Sequence, residues 1–367
     1  MFAENHQLSI PQIKRIFFIE VFSTFSLTMP AIVTRQSEYY GMYALLLGAL
    51  FAAIYLLYLL WIASKIKGNY GDDINDRFGR VGQTAIISCY VIRFIIKSAY
   101  TTLLFLTLVQ TYIVTEQKKW QLLLPFFCIC AFVAYEGIET RGRILELLAF
   151  FMIISLLFTV FLSLPEVSIQ EWLPKGEVSL SSIVKTSGFV FLTYAQMEFV
   201  LFYGTSVSMS QEKKKRGNQI GKAVFQGYGF TVAVHLLLFL TTIGLFGVQI
   251  TKNSMYPAFA IMETAKLPAD FISRLDIFFI AFWIFAMFGV ISGYSTYSMW
   301  FIKDRIKGKK KGIILVVFFL LSGGLSLYLG EVERATHWFF LYLAWIDVPL
   351  AIIIPVLVVL KKKRRAI

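Results

Sequence analysis

Residues 22–32 read FSTFSLTMPAI and lie inside the first long apolar segment of the chain. Polar and helix-breaking residues interrupt what is otherwise an apolar helix: Ser23, Thr24, Ser26, Thr28 and Pro30. Proline lacks a backbone donor and clashes with the preceding turn, so it kinks or breaks a helix. The stretch leaves two alternatives open, a tolerated kink or a helix that is broken to hold a ligand.

The composition around this stretch is that of a membrane protein. The chain has 367 residues, of which 57% are hydrophobic and 16% charged, whereas soluble domains have about 45–50% apolar and about 25% charged residues. A bilayer-spanning helix needs roughly 17–25 mostly apolar residues. Ten segments meet this requirement, at about 11–34, 40–65, 81–114, 120–136, 143–163, 182–209, 219–249, 272–302, 312–329 and 336–360. We therefore predict an all-α integral membrane protein with ten transmembrane helices.

The positive charges indicate how these helices are oriented. The net charge is +13, but the Lys and Arg residues form short blocks between apolar runs, which argues against a nucleic-acid partner. Of the 35 Lys and Arg residues, 24 fall in alternate loops and at the two chain ends. The positive-inside rule then predicts that both termini are cytoplasmic, and that the basic runs meet anionic membrane lipid.

Five predicted helices lie in residues 1–165 and five in residues 182–367, within a single transmembrane domain that spans 1–367. An odd number of helices in each half gives the halves opposite orientations, which is the plan of an inverted repeat. The linker 166–181 between them is predicted to be extracytoplasmic, either as an ordered cap or as a loose loop.

Few ionisable residues lie far from the ends of these helices, where charge is costly and faces protein or water. Arg93 and Lys97 are four residues apart on the third segment, so they share one helix face and repel each other. We expect a neighbouring anion, which is a ligand carboxylate or one of three acidic residues: Glu20, Glu198 and Asp347. A structural ion network and a role in transport or ligand coupling both remain open.

The sixth segment contains FLTYAQMEFVLFYGTS at 191–206, with Gln196 and Glu198 near its middle and Gly204 and Thr205 after them. Broken first and sixth helices at corresponding places in the two halves indicate a binding site at the membrane midplane. The alternative is that hydroxyls bond back to the preceding turn and that the glycines serve close packing.

The eighth segment carries a strip of small and polar residues: Gly289, Ser292, Gly293, Ser295 and Thr296. This strip suits close helix packing, and its hydroxyls and carbonyls also suit a hard cation. No phosphate-binding loop, nucleophile elbow or metalloprotease motif occurs, and the three histidines are scattered. We predict no catalytic residue, no metal ion and no cofactor.

Several short motifs occur in a fixed order along the chain: LTMP at 27–30, MEFVLF at 197–202, KKK at 213–215, FISRLD at 271–276 and WI at 283–284. With these motifs the chain resembles the permease-like B subunit of bacterial spore germinant receptors. That family is similar to transporters of the amino acid/polyamine/organocation superfamily. The resemblance covers nearly the whole chain.

The resemblance implies a LeuT-like fold, a 5+5 inverted repeat whose helices 1 and 6 unwind around a small nutrient such as an amino acid. It also implies the inner membrane of a spore and two partners, a membrane subunit with large soluble domains and a lipoprotein subunit. Sensing of a germinant is the function that it implies. An autonomous proton-coupled amino-acid permease is the alternative, and a membrane scaffold with a vestigial pocket is the third hypothesis.

The chain departs from the family pattern at the helix breaks. Ser23 and Phe25 stand where the family carries a glycine pair, and Gln196 stands where glycine is frequent. We predict that the ligand contacts six residues around the breaks: Thr24, Phe25, Ser26, Tyr194, Gln196 and Glu198. We predict a charge network of four further residues beside them: Glu20, Arg93, Lys97 and Asp347.

Overall fold

A computed structural model describes residues 8–66, 70–114, 116–177, 179–203, 213–264, 275–302 and 309–361. These residues form α-helices joined by turns and short 3₁₀ or π segments, and no strand occurs among them. The prediction of an all-α protein is confirmed. Gly204, Thr205, the FISR residues 271–274 and the end of the chain after residue 361 lie outside the described residues.

Fourteen α-helices follow one another in this part of the chain. In chain order they are α1 Ile10–Ser23, α2 Met29–Ser37, α3 Gly41–Lys65, α4 Tyr70–Tyr112, α5 Lys119–Glu136, α6 Ile138–Ser163, α7 Leu180–Tyr194, α8 Val200–Tyr203, α9 Lys213–Asn253, α10 Pro257–Thr264, α11 Leu275–Ile302, α12 Lys309–Leu329, α13 Val332–Tyr342 and α14 Val348–Leu360. A 3₁₀ turn, Met197–Phe199, precedes α8, and a π turn, Leu343–Asp347, joins α13 to α14.

Eight stretches of the described chain are long and apolar enough to cross a membrane without a break. They contain α3, α4, α5, α6, α9, α11, α12 and the continuous α13–α14. The other two predicted segments are the first and the sixth, and each of them is divided into shorter helices, α1 with α2 and α7 with α8. The described residues are therefore consistent with ten segments, of which the first and the sixth are broken.

The first break covers residues 24–28, between the end of α1 and the start of α2. Pro30 occupies the first turn of α2, where its missing N–H costs nothing because that donor has no partner inside a helix. The hydroxyl of Ser26 donates to the carbonyl of Ser23 at 3.3 Å, and that of Thr28 donates to the carbonyl of Phe25 at 3.3 Å. The Ser26 hydroxyl thus gives the carbonyl of Ser23 a partner, whereas the carbonyl of Phe25 also accepts from the backbone N–H groups of Thr28 and Met29.

The broken helices lie at the centre of the bundle. α1 packs against α6, α9 and α11, and α7 packs against α2 and α3. α4 packs against α11 and α12 on another side of the same core. The linker is ordered where it is described, because the backbone N–H of Ser168 donates to the carbonyl of Gly244 at 2.8 Å and the indole of Trp172 donates to that of Leu240 at 2.9 Å.

The contact between α3 and α7 is a close one. A Cβ added to Gly48 of α3 would lie 2.5 Å from the Cβ of Val190 and 2.6 Å from the carbonyl oxygen of Ser187, both on α7. A methyl group at this position must therefore push the two helices apart.

We expect Gly48→Ala to lower the free energy of unfolding by about 1–3 kcal/mol, the usual cost of overpacking. Gly188→Ala is the matched control on the opposite helix, because nothing lies within 4 Å of the added Cβ there. Thermal unfolding of the detergent-solubilised variants measures the difference. Equal melting temperatures for the two variants would contradict the close contact.

Candidate functional site

Four charged side chains meet in the interior of the bundle, and we call them the four-charge cluster: Arg93, Lys97, Glu198 and Asp347. Arg93 and Lys97 both project from α4, with exposed fractions of 2% and 1%. Arg93 binds both carboxylate oxygens of Glu198, at 2.8 and 2.9 Å, and its Nε lies 2.8 Å from Oδ1 of Asp347. The Nζ of Lys97 lies 2.9 Å from Glu198 Oε1 and 2.9 Å from Asp347 Oδ2.

The local backbone explains why both carboxylates point inward. Glu198 lies on the 3₁₀ turn that follows the end of α7, so it belongs to the second helix break. Asp347 is the last residue of the π turn, and Pro349 follows two residues later. Proline has no N–H to donate to the preceding turn, and π turns are frequent at functional sites. The cluster therefore links the third, sixth and tenth spans.

Glu20, which was predicted as a member of the charge network, lies outside the four-charge cluster. Its carboxylate pairs with Arg141 and accepts hydrogen bonds from Tyr297, at 2.7 and 3.0 Å, and from Tyr203, at 3.3 Å. Arg141 also donates to the carbonyl oxygen of Gly289 at 2.8 Å. We call this second group, of Glu20, Arg141, Tyr203 and Tyr297, the Glu20–Arg141 cluster.

The sequence places the fifth segment at 143–163, so that Arg141 would lie in the loop just before it. Instead α6 begins at Ile138, directly after Gly137. Gly137 has φ 102°, a left-handed conformation that glycine adopts without strain, so the chain turns within one residue. Arg141 consequently lies inside the helix and is fully buried.

A small cavity lies between the two clusters. Glu20 and Glu198 both line it, together with Gln196, Tyr294 and Tyr297. It leaves about 10 Å³ for the centre of a water molecule, which is roughly the space that one water requires. The two acidic side chains are therefore separated by the room for a single water and do not touch.

Aromatic rings close off the four-charge cluster on one side. We call these rings the vestibule layer, because one of them lines the vestibule described below; they are Phe25, Tyr100, Phe339 and Phe340. The rings of Tyr100 and Phe339 stack with centroids 3.9 Å apart, and the ring of Phe25 lies 5.3 Å from that of Phe340.

A second set of rings, the far layer, closes the opposite side of the cluster and consists of Tyr70, Tyr90, Phe202 and Phe301. The centroids of Phe202 and Phe301 are 5.0 Å apart, and the hydroxyls of Tyr70 and Tyr90 are 3.0 Å apart. On α4, Tyr90 and Tyr100 stand at either end of the stripe that contains Arg93 and Lys97, about 15 Å apart at 1.5 Å per residue. The charges are thus enclosed between two aromatic layers.

A vestibule of about 1070 Å³ opens to the surface above the vestibule layer. Phe340 and Thr28 are among the residues that line it, and Arg35 and Glu333 are among its charged residues. Arg35 Nη1 lies 3.7 Å from Glu333 Oε1, and Arg35 Nε donates to the carbonyl oxygen of Lys252 at 2.8 Å. The vestibule is large enough for a small polar molecule. Two of its lining residues, Thr28 and Phe340, contact Phe25.

The six predicted ligand residues are all buried, but the structure does not bring them into one open pocket. Phe25 packs in the vestibule layer, and Tyr194 forms a hydrogen bond of 2.8 Å with Nδ1 of His235 on α9. Gln196 accepts a hydrogen bond of 2.8 Å from Tyr294, and Glu198 belongs to the four-charge cluster. Thr24 and Ser26 lie within the first break, on either side of Phe25.

Several residues of the site were not predicted from the sequence: Arg141, Tyr203, Tyr294 and Tyr297. Arg141 gives no separate signal, because an Arg near a helix end also fits the topology rule. The tyrosines lie in apolar helices where most aromatic residues serve packing. Among the described residues, no group of three or more His, Cys, Asp or Glu side chains is placed to hold a metal ion.

We expect Lys97→Met to destabilise the protein by about 3–5 kcal/mol, because it leaves one buried carboxylate charge without compensation. Adding Asp347→Asn restores neutrality, so the double variant should unfold at a higher temperature than Lys97→Met alone. Lys175→Met is the matched control, since its pair with Glu171 is half-exposed and worth little. Thermal unfolding in detergent measures all three. A double variant no more stable than Lys97→Met would argue against charge balance as the cause.

Comparison with known proteins agrees with this architecture. The chain is 26% identical over 358 residues to the spore germination protein GerLB of Bacillus cereus, covering 93% of this chain and 90% of that protein. Mhp1, a nucleobase-cation-symport-1 family transporter in a closed conformation with bromovinylhydantoin bound, matches with a TM-score of 0.64 and 15% identity, over 95% of this chain and 79% of that one.

A Na⁺-coupled sialic acid symporter in a substrate-bound outward-open state matches with a TM-score of 0.56 and 12% identity, over 94% of this chain and 75% of that one. These structural likenesses show a LeuT-like transporter fold. The profile of a family described as "Spore germination protein" matches residues 7–330. The chain therefore belongs to the spore germination protein family.

Proposed function

We propose that this chain is the membrane subunit of a spore germinant receptor, which senses a small nutrient such as an amino acid and triggers germination. The observation that carries the proposal is a vestibule lined by Thr28 of the first helix break and by Phe340 of the aromatic layer that covers four buried charges. Such an arrangement can bind a small polar molecule from one side of the membrane and transmit binding to the helices that the charges join.

Sensing requires that the nutrient binds one conformation more tightly than another. In the conformation described here, Phe25 is fully buried and packs against Tyr100, Phe339 and Phe340, and Phe340 also lines the vestibule. We propose that nutrient binding moves Phe25 out of the vestibule layer. The ligand then contacts the two breaks through Thr24, Ser26, Tyr194, Gln196 and Glu198.

The charges of the cluster give this ligand a chemical character. Arg93 and Lys97 attract a carboxylate group, and Glu198 and Asp347 attract an amino group. These four side chains now pair with one another. A zwitterionic nutrient would replace one of these internal ion pairs by two new ones, one through its carboxylate and one through its amino group. The predicted amino-acid ligand fits this exchange, since it carries both charges.

An autonomous proton-coupled amino-acid permease is the second candidate. The water-sized cavity between Glu20 and Glu198 favours it, because two buried acids with a water between them can pass a proton. Uptake of amino acid into liposomes by the purified chain alone would decide for the permease and against a receptor subunit that only senses.

The proposed assembly follows from the receptor role. The partners are a membrane subunit with large soluble domains and a lipoprotein subunit, in the inner membrane of the spore. Both termini are then cytoplasmic, in agreement with the distribution of Lys and Arg. In this orientation the vestibule opens on the extracytoplasmic side, where nutrients arrive.

Deletion of the gene from its sporulating host should abolish germination in response to at least one nutrient, and restoring the gene should recover it. Spores are screened with single amino acids and other small nutrients, and germination is followed by the loss of optical density. The deletion is also made in strains that lack related receptors, so that no other receptor can give the same response. Normal germination of such a strain with every nutrient would contradict the receptor role.

We expect Phe25→Ala to lower the nutrient concentration for half-maximal germination by at least about tenfold. The substitution removes three ring contacts of the closed state, each worth roughly 0.5–1.5 kcal/mol, so less binding energy is needed to open it. Phe126→Ala is the matched control, because Phe126 stacks on Phe105 at 3.9 Å outside the vestibule layer. An unchanged dose response at normal receptor abundance would argue against Phe25 as the barrier.

A further inference from the structure

The guanidinium of Arg141 occupies an enclosed place between three spans. Its side chain leaves α6 and ends between α1 and α11, where it is fully buried. It meets the carboxylate of Glu20, the carbonyl oxygen of Gly289 at 2.8 Å, the hydroxyl of Tyr297 at 3.1 Å and that of Ser292 at 3.4 Å. All of these partners are oxygen atoms, and together they carry one negative charge.

This set of partners is also what a small monovalent cation requires. Carboxylate, carbonyl and hydroxyl oxygens are the ligands that hard cations prefer. The sequence left open both close packing and a cation site on the strip of α11 that includes Gly289, Ser292 and Gly293. The structure places a positive charge there, but that charge belongs to the protein itself.

The two helices close tightly around this charge. A Cβ added to Gly293 would lie 2.6 Å from Nη2 of Arg141 and 2.6 Å from Oε1 of Glu20. A Cβ added to Gly289 would lie 2.4 Å from Cγ2 of Ile19 on α1. The glycines therefore allow α1 and α11 to approach until the guanidinium fills the space between them.

We propose that Arg141 is a tethered cation, which fills a monovalent-cation site formed by α1 and α11. Arginine does not lose its proton in proteins, so the site is occupied permanently. The packing of the first span, and with it the position of the first helix break, then does not depend on cations in solution. Removal of the side chain opens a site that a guanidinium ion or Na⁺ can enter.

The Arg141→Ala variant of the full chain tests this site. Thermal unfolding in detergent is compared at constant ionic strength in choline chloride, in Na⁺, and in millimolar guanidinium, far below its denaturing range. We expect the variant to melt below the wild type in choline, and to gain several degrees in a saturable manner as Na⁺ or guanidinium is added, because a ligand of the folded state stabilises it. The wild type should not respond.

Two further variants show whether the response comes from this site. Arg143→Ala removes a half-exposed arginine two residues away, paired with Glu139, and should show no cation response. The double variant Glu20→Gln with Arg141→Ala removes the anion, and it should lose the response that the single variant gains.

The proposal can be tested whether Arg141→Ala unfolds or stays folded when it is extracted in choline. If Arg141→Ala unfolds in choline, extraction in Na⁺ or guanidinium should recover folded protein, and failure to recover it would overturn the proposal. A variant that folds and shows no saturable stabilisation by either cation would overturn it as well. Because the measurement uses purified protein and no nutrient, its outcome is independent of the receptor role.

Discussion

A charge inside an apolar bundle must find an opposite charge, and this constraint positions the centre of the molecule. Arg93 and Lys97 are neighbours on one face of α4 and would repel each other if they were alone. Glu198 and Asp347 approach them from two other spans and bring the sum of charges to zero. Removing one member of such a group is costly, so the third, sixth and tenth spans are fixed relative to one another.

The same constraint acts a second time at the first span. Glu20 lies four residues before the first break, and it is held by Arg141 of α6 and Tyr297 of α11. Each helix break therefore has an acidic residue in or near it that is anchored by a cation on a neighbouring unbroken helix. These anchors hold one side of each break in place, which helps the backbone of the break to stay ordered in the membrane interior.

Much of the fold could be predicted from the sequence, because length and apolar composition define spans and Pro30 marks the first break. The pairing of Arg93 and Lys97 with an acid was also predictable, since two cations four residues apart need compensation. The place of Glu20 outside the four-charge cluster could not be predicted, because helices that are apolar all round carry no pattern that fixes their rotation about their own axes. Arg141 was misplaced because the one-residue turn at Gly137 lengthens α6 toward its start.

Phe25 determines how the site can work. Ser23 and Phe25 stand where glycines would leave the backbone open. The hydroxyl of Ser23 donates to the carbonyl of Ile19 in the preceding turn. The ring of Phe25 contacts those of Tyr100, Phe339 and Phe340. Three ring contacts at roughly 0.5–1.5 kcal/mol each make opening cost about 1.5–4.5 kcal/mol. Turning a 1:99 population into 99:1 needs about 5.5 kcal/mol of preference for the open state, and micromolar binding supplies about 8 kcal/mol in all. A small nutrient can therefore operate such a barrier only if most of its binding energy arises from contacts that exist after Phe25 has moved.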